Sequence, residues 1–219
     1  MEPGEFWKKY DAAASAREMV AKAGLKFTRL DAGNDGKLSL WFHGDDLIDL
    51  APLKGLPVDF LGFRESKVSD LRPLAGLPLH GLCIKSAVLT DLSPLRATPL
   101  TELYLDSDNL SDLTPLRDTK LETISLRCPK AIDLSALRNL PLKDLNIRGS
   151  GVTDLSPLEG LALEHIQFDP ERITKGLEAL RAIKSLRQIN RSDAEFFWDE
   201  HDGKQSSEDD PFSKGHSSK

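Results

Sequence analysis

An aspartate recurs every 21 residues along the middle of this chain, and evenly spaced carboxylates are one way to hold metal ions. Calcium ladders are built from short Gly- and Asp-rich repeats, whereas here leucine directly follows every aspartate. One carboxylate per 21 residues is also too few for an oxygen cage. The spacing therefore favours a structural role, as helix N-caps, for Asp49, Asp70, Asp91, Asp112, Asp133 and Asp154.

The other reactive residues form no pattern typical of an active site. The sequence has no nucleophile-elbow, kinase or metalloprotease motif, and its five histidines are scattered. The segment D-A-G-N-D-G-K at residues 31–37 lacks the ligands of a calcium loop and the glycine spacing of a phosphate loop. His43 with Asp45 and Asp46 is a weak ion-site candidate. We predict no enzyme activity, no cofactor and no metal.

Composition and charge exclude several classes of partner. The chain has 219 residues, of which 39% are hydrophobic and only 6% aromatic, and its net charge is -6. Nucleic-acid binding normally needs a basic surface, so we expect none. No apolar stretch is long enough to span a membrane, and the first ten residues lack the apolar region of a signal peptide. The sequence therefore predicts a cytoplasmic protein.

A 21-residue repeat organises most of the chain. Six columns of apolar residues run through six successive repeats. The weakest member is Ala131, for which Ile132 is a candidate substitute. An interior file of aliphatic side chains, shared between neighbouring coils, is the expected result. The columns start at Leu50, Leu53, Val58, Leu61, Phe63 and Val68.

The repeat resembles that of bacterial leucine-rich-repeat proteins. Its L-x-x-L-x-L core (Leu100, Leu103, Leu105) resembles the family motif, and D-L-x-P-L resembles the internalin-like lead-in, here one residue shorter. The resemblance implies an α/β fold, a curved right-handed solenoid with a parallel sheet on the concave face and short helical or 3-10 turns on the convex face. The family's asparagine is missing at seventeen residues after each aspartate, so other groups or water must replace it there.

Prolines mark the corners of each coil. One proline falls in the first turn of the short helix, where a missing N–H costs little, as at Pro52 and Pro73. A second, as at Pro57 and Pro78, returns the chain to extended structure. Cys83 and Cys128 lie two coils apart, about 10 Å at sheet spacing, which is too far for a disulfide. We predict free thiols.

The predicted organisation has four parts. Residues 1–37 form a cap of a helix (3–23) and a hairpin, and residues 38–192 form a solenoid of seven to eight coils. Within it, a longer helix at 175–184 precedes a last strand at 187–191. Residues 193–202 form a cap helix that begins with a capping box at Ser192 and Glu195, and the polar segment 203–219 is expected to be disordered.

The two ends of the chain resemble each other. Residues 5–11 read E-F-W-K-K-Y-D and residues 195–202 read E-F-F-W-D-E-H-D. A similar segment closes the repeat domains of planctomycete and verrucomicrobial proteins, where such repeats are linked to serine/threonine kinases. That resemblance implies a regulatory or targeting segment of a multidomain kinase-type protein. The alternative is two unrelated aromatic cap helices.

Strand residues between the buried leucines must point to the concave face. There the aromatic and basic residues have the composition of interface hot spots. Gly62 and Gly81 would leave a dip for an anchor side chain, unless the N-terminal cap covers the aromatics. The predicted partner-binding residues are Trp41, Phe60, Arg64, Lys85, Tyr104, Arg127 and Arg148.

Two functions follow from these patterns. The first is a monomeric, non-catalytic module that binds a protein or peptide on the concave face. The second is the kinase-linked regulatory segment described above. A purely structural scaffold is a third interpretation.

Overall fold

The computed structural model describes residues 14–15, 17–33, 35–43 and 49–208, with only the backbone for residues 203–208. Several predictions fall outside these residues. They are the start of the N-terminal helix, the aromatic segment 5–11, Asp45 and Asp46, and residues 209–219.

The protein is an α/β structure dominated by one ten-stranded sheet, in which the strands follow the chain order. Strands β2 to β9 are parallel, and the outer strands β1 and β10 pair antiparallel with their neighbours. The strands are β1 (Arg29–Ala32), β2 (Leu38–His43), β3 (Val58–Arg64), β4 (Gly81–Lys85), β5 (Glu102–Asp106), β6 (Thr123–Arg127), β7 (Asp144–Asn146), β8 (His165–Gln167), β9 (Gln188–Ile189) and β10 (Ser192–Asp193). The result is solenoid-like, with one strand per coil.

The apolar columns form the core. Equivalent residues face each other across paired strands, as Leu82 with Leu103 and Ile84 with Leu105. Every member of the six columns is buried except Ile173, which is partly buried. Ala131 itself fills the interior position, and Ile132 is 64% exposed. The suggestion that Ile132 substitutes for Ala131 was therefore wrong, because the next side chain along points outward.

Short 3-10 turns close the other side of each coil. They are Ala51–Leu53, Arg72–Leu74, Ser93–Ala97, Thr114–Leu116, Ser135–Leu137 and Ser156–Leu158. Each repeat aspartate accepts a hydrogen bond from the backbone N–H two residues on, at 2.8 or 2.9 Å. The predicted capping is confirmed, but the leucine after the aspartate occupies the N-cap position. The aspartate acts from one residue earlier.

The capping hydrogen bonds keep these carboxylates ionised to low pH. The Arg72 side chain, followed by its backbone N–H, lowers the pKa of Asp70 from 3.8 to about 2. The backbone N–H of Ser93, then its hydroxyl, lowers the pKa of Asp91. In three further coils the largest cause is a hydroxyl of Thr or Ser, and the lowered pKa values are those of Asp112, Asp133 and Asp154.

We expect the free energy of unfolding to fall as the pH drops from about 4 towards 2. An aspartate with a lowered folded-state pKa stabilises the protein above its unfolded pKa, and this stabilisation is lost as the carboxylate is protonated. Urea unfolding, followed by circular dichroism over this range, measures the loss. The double variant Asp91→Asn/Asp112→Asn keeps an oxygen acceptor but cannot titrate, so its stability should depend less on pH. An unchanged pH dependence would assign the effect to other carboxylates.

Buried hydroxyls replace the missing asparagines at the inner turns. The Ser86 hydroxyl donates to the Val68 carbonyl at 2.8 Å, and the Ser107 hydroxyl donates to the Leu89 carbonyl at 2.9 Å. Both side chains are buried. They lie sixteen residues after the repeat aspartate rather than seventeen, because this repeat is one residue shorter. Cys128, a buried free thiol, holds the same position in the next coil.

The N-terminal side of the sheet ends in the predicted hairpin. Residues 17–22 are helical (α1), and Gly24 follows them with φ of +70°. Strand β1 then pairs with β2, which itself pairs parallel with β3 as a degenerate first coil. At the turn, Gly33 donates a backbone hydrogen bond to the Lys37 carbonyl. The segment 31–37 is thus a hairpin turn, as the sequence predicts.

The C-terminal side differs in detail from the prediction. The helix expected at residues 175–184 is the shorter α2 (Leu177–Arg181), and β10 makes a hairpin with β9 that the pattern does not predict. Asp193, not Ser192, accepts the Glu195 backbone N–H at 3.0 Å. Helix α3 (Ala194–Glu208) continues past residue 202, where the cap helix was predicted to end.

Helix α3 covers the last coils with aromatic side chains. The rings of Phe197 and Phe168 meet edge to face, with centroids 6.0 Å apart. Arg181 from α2 stacks over Trp198 at 4.8 Å and donates to Asp202 of the same helix. The aromatic segment therefore has a structural role as a lid on the final core layer. None of the described helices has the length and apolar character needed to cross a membrane.

Candidate interaction surface

The strand side chains that alternate with the core residues form the open face of the sheet. Their pairing follows the predicted columns: Trp41, Gly62, Cys83, Tyr104, Ser125, Asn146 and Gln167 face one another in sequence across seven strands. A second column, beside it, includes Phe60, Gly81, Glu102, Thr123, Asp144 and His165. The face is thus a regular grid with one residue per strand in each column.

A groove of about 880 Å³ lies on this face, towards the carboxyl ends of the strands. Its floor carries Cys83, Tyr104, Ser125, Asn146 and Gln167. Five cationic side chains line it against three acidic ones, which leaves a local surplus of two positive charges on a chain whose net charge is -6. The cations are Arg64, Lys85, Arg127, Arg148 and Arg191, and the acids are Glu65, Asp106 and Asp169.

The five cations are not equally neutralised. Lys85 lies 3.5 Å from Glu65, and Arg148 lies 3.4 Å from Asp169. Among the described residues, the guanidinium groups of Arg64, Arg127 and Arg191 have no ion-pair partner. Arg64 stacks over the Trp41 ring at 5.6 Å. Three guanidinium groups therefore keep their full donor capacity for a ligand.

The opposite edge of the sheet is internally paired. Asp59 contacts Lys37 at 3.2 Å and His80 at 2.7 Å. Glu122 likewise pairs with Lys143 of the next coil. Since each of these acids is matched by a cation, this edge offers little net attraction to a charged ligand. The electrostatic contrast across the face directs an anionic partner to the groove.

The centre of the groove is partly apolar. Tyr104 is half-buried, and its hydroxyl donates to Glu102 at 3.3 Å. Burial, with help from Glu102, raises the pKa of Tyr104. Burial also raises the pKa of the neighbouring Cys83 thiol, so the thiol stays protonated and weakly nucleophilic at neutral pH. Both side chains act as contact surface rather than as reactive groups.

Trp41 and Phe60 lie outside the groove. Their rings stack with centroids 5.2 Å apart. A Cβ added to Gly62 would clash with the Trp41 indole, and one added to Gly81 would clash with the Phe60 ring. The predicted dip over these glycines is therefore absent, because the protein's own aromatic rings lie flat on the exposed glycine backbone. The two glycines position the rings instead of receiving a partner's side chain.

The structure thus separates the seven predicted site residues into two groups. Arg64, Lys85, Tyr104, Arg127 and Arg148 line one groove, whereas Trp41 and Phe60 form a stacked pair beside it. Arg191 was missed because it comes from the unpredicted β9–β10 turn, where it has φ of +71°. No sequence signal marks that turn, since the residues Asn190 and Arg191 hold left-handed positions without a glycine.

No cluster of three or more potential metal ligands occurs in the part of the chain that the structure describes. No known protein-family model matches the sequence. No curated protein matches it significantly either.

Proposed function

We propose that this chain is a leucine-rich-repeat type of interaction module that binds a protein or peptide on the open face of its sheet, without chemistry of its own. The observation that carries the proposal is the groove of about 880 Å³, whose floor receives one side chain from each successive strand. Repeat solenoids use such rigid, extended surfaces for binding. Tyrosine and arginine, which meet in the groove, are the residue types enriched in interface hot spots.

A second candidate is the regulatory or targeting segment of a multidomain bacterial kinase-type protein. It rests on the likeness of residues 195–202 to segments that close kinase-linked repeat domains. In the structure, Phe197 packs on Phe168 and Trp198 on Arg181. Because capping alone accounts for these aromatic side chains, we favour the first candidate.

The variant Ser125→Trp should abolish the binding of any partner in the groove. Ser125 lies on the groove floor between Tyr104 and Asn146, so a bulky ring there excludes a ligand whatever its chemistry. The tagged wild-type chain and the variant are compared for proteins that co-purify from a cell extract. The matched control is Ile132→Trp, which adds the same ring at a position that is 64% exposed and outside the groove. Retention of the same partners by Ser125→Trp would place the interface elsewhere.

A further inference from the structure

The groove has a charge pattern that specifies its ligand more closely. This step rests on the proposed function and asks which kind of peptide the open face would select. Basic residues lie in two pairs on adjacent strands: Arg64 with Lys85, and Arg127 with Arg148. Between them, Asp106 pairs in register with Lys85 on one side and Arg127 on the other. A positive, negative, positive sequence therefore runs across the strands.

We propose that the groove binds an extended acidic peptide with carboxylates at both ends and uncharged residues between them. Arginine is suited to carboxylate because its planar fork donates two parallel hydrogen bonds. Arg64 and Arg127 have no internal ion pair among the described residues, so binding there breaks no existing salt bridge. Asp106 at the centre repels a third carboxylate, and the Tyr104 ring offers an apolar contact at that point.

The dimensions of the groove agree with a short extended segment. Arg64 and Arg148 belong to coils four strand spacings apart, roughly 19 Å at ~4.8 Å per strand. A peptide that rises about 3.3 Å per residue covers this distance with roughly six residues. Acidic pairs at the two ends would face the two basic pairs, and two central residues would lie over Tyr104.

The test uses the full chain and labelled, end-blocked hexapeptides, with affinity measured by fluorescence polarisation. Glu-Glu-Ala-Leu-Glu-Glu should bind, and its affinity should fall as salt screens the charges. Gln-Gln-Ala-Leu-Gln-Gln should not bind. Ala-Leu-Glu-Glu-Glu-Glu has the same composition as the first peptide but places a carboxylate over Asp106, so it should bind at least about tenfold more weakly.

Charge reversal in the groove provides the second measurement. The double variant Arg64→Glu/Arg127→Glu should weaken binding of the first peptide by about tenfold or more. The control Arg96→Glu/Arg117→Glu makes the same charge change in the small pocket beside the 3-10 turns, and it should change the affinity by less than about twofold. Circular dichroism of each variant verifies that the fold is intact, and the neutral variant Arg127→Gln should lie between wild type and the reversal.

Several results would overturn the proposal. They are an absence of binding by the first peptide, equal binding of both acidic peptides, or an unchanged affinity after Arg64→Glu/Arg127→Glu. Preference for a phosphoserine peptide over the glutamate peptide would assign the groove to phosphate. A dimer that dissociates on charge reversal would assign it to a second copy of the chain. If Ser125→Trp still abolishes partner capture while the acidic peptide fails to bind, the interaction function stands and the acidic specificity does not.

Discussion

Replacement of Phe63 by alanine is expected to lower the free energy of unfolding by about 3–5 kcal/mol. Phe63 is fully buried and stacks on Phe42 with ring centroids 5.6 Å apart. It also lies between its column neighbours on β2 and β4. Truncation therefore opens a cavity that touches three coils, and the parallel strands on both sides hold the backbone in place and prevent collapse into it.

The matched control is Phe196→Ala, which removes the same ring from a position that is 57% exposed on α3. It should change the free energy of unfolding by roughly 0.5 kcal/mol or less. Urea unfolding with circular dichroism measures both. The variant Phe63→Leu, which keeps most of the apolar volume, should lose less than Phe63→Ala. Equal losses at Phe63 and Phe196 would contradict the continuous core.

Replacement of Gly176 by alanine should destabilise the protein more than the same change at Gly160. Both glycines have positive φ, +85° and +80°, so alanine at either position bears left-handed strain of about 1–2 kcal/mol. At Gly160 the space around the new methyl group is open. At Gly176 the methyl group would meet the backbone nitrogen of Ser156 in the preceding coil.

That collision involves backbone that is already fixed on both sides. Leu155 donates a hydrogen bond to the Lys175 carbonyl at 2.9 Å, and residues 154 and 175 form a parallel bridge. Overpacking adds about 1–3 kcal/mol, so we expect a total loss of about 2–5 kcal/mol for Gly176→Ala. Thermal melts of the two variants compare them directly. Equal melting temperatures would show that the coils can separate at this point without cost.

The repeat predicts most of the sheet because one period governs both the interior and the open face. Once Leu82 and Leu103 are assigned to the core, the outward position of Cys83 and Tyr104 follows from strand alternation. The parallel register between these residues was correctly derived from the 21-residue spacing. The capping role of Asp70 and its equivalents follows in the same way from residue type and position.

Details that depend on a single residue's surroundings could not be derived from the period. The Trp41 and Phe60 rings were placed on the correct face, but their tilt over Gly62 and Gly81 depends on the neighbouring strand offering bare backbone. The inner-turn hydroxyls of Ser86 and Ser107 were sought one residue too late, because the longer family repeat supplied the register. The two-residue insertion near the C-terminus concealed the β9–β10 hairpin, and with it Arg191.

Strand pairing at a nearly constant separation of 21 residues has a kinetic consequence. From β3 to β8 each strand finds its partner one coil away along the chain, so no native contact in this region waits for distant ends to meet. Loop closure over so few residues carries a modest entropic cost, and folding rate rises as contacts become more local. Folding can therefore nucleate at any two adjacent coils and spread outward in both directions like a zipper.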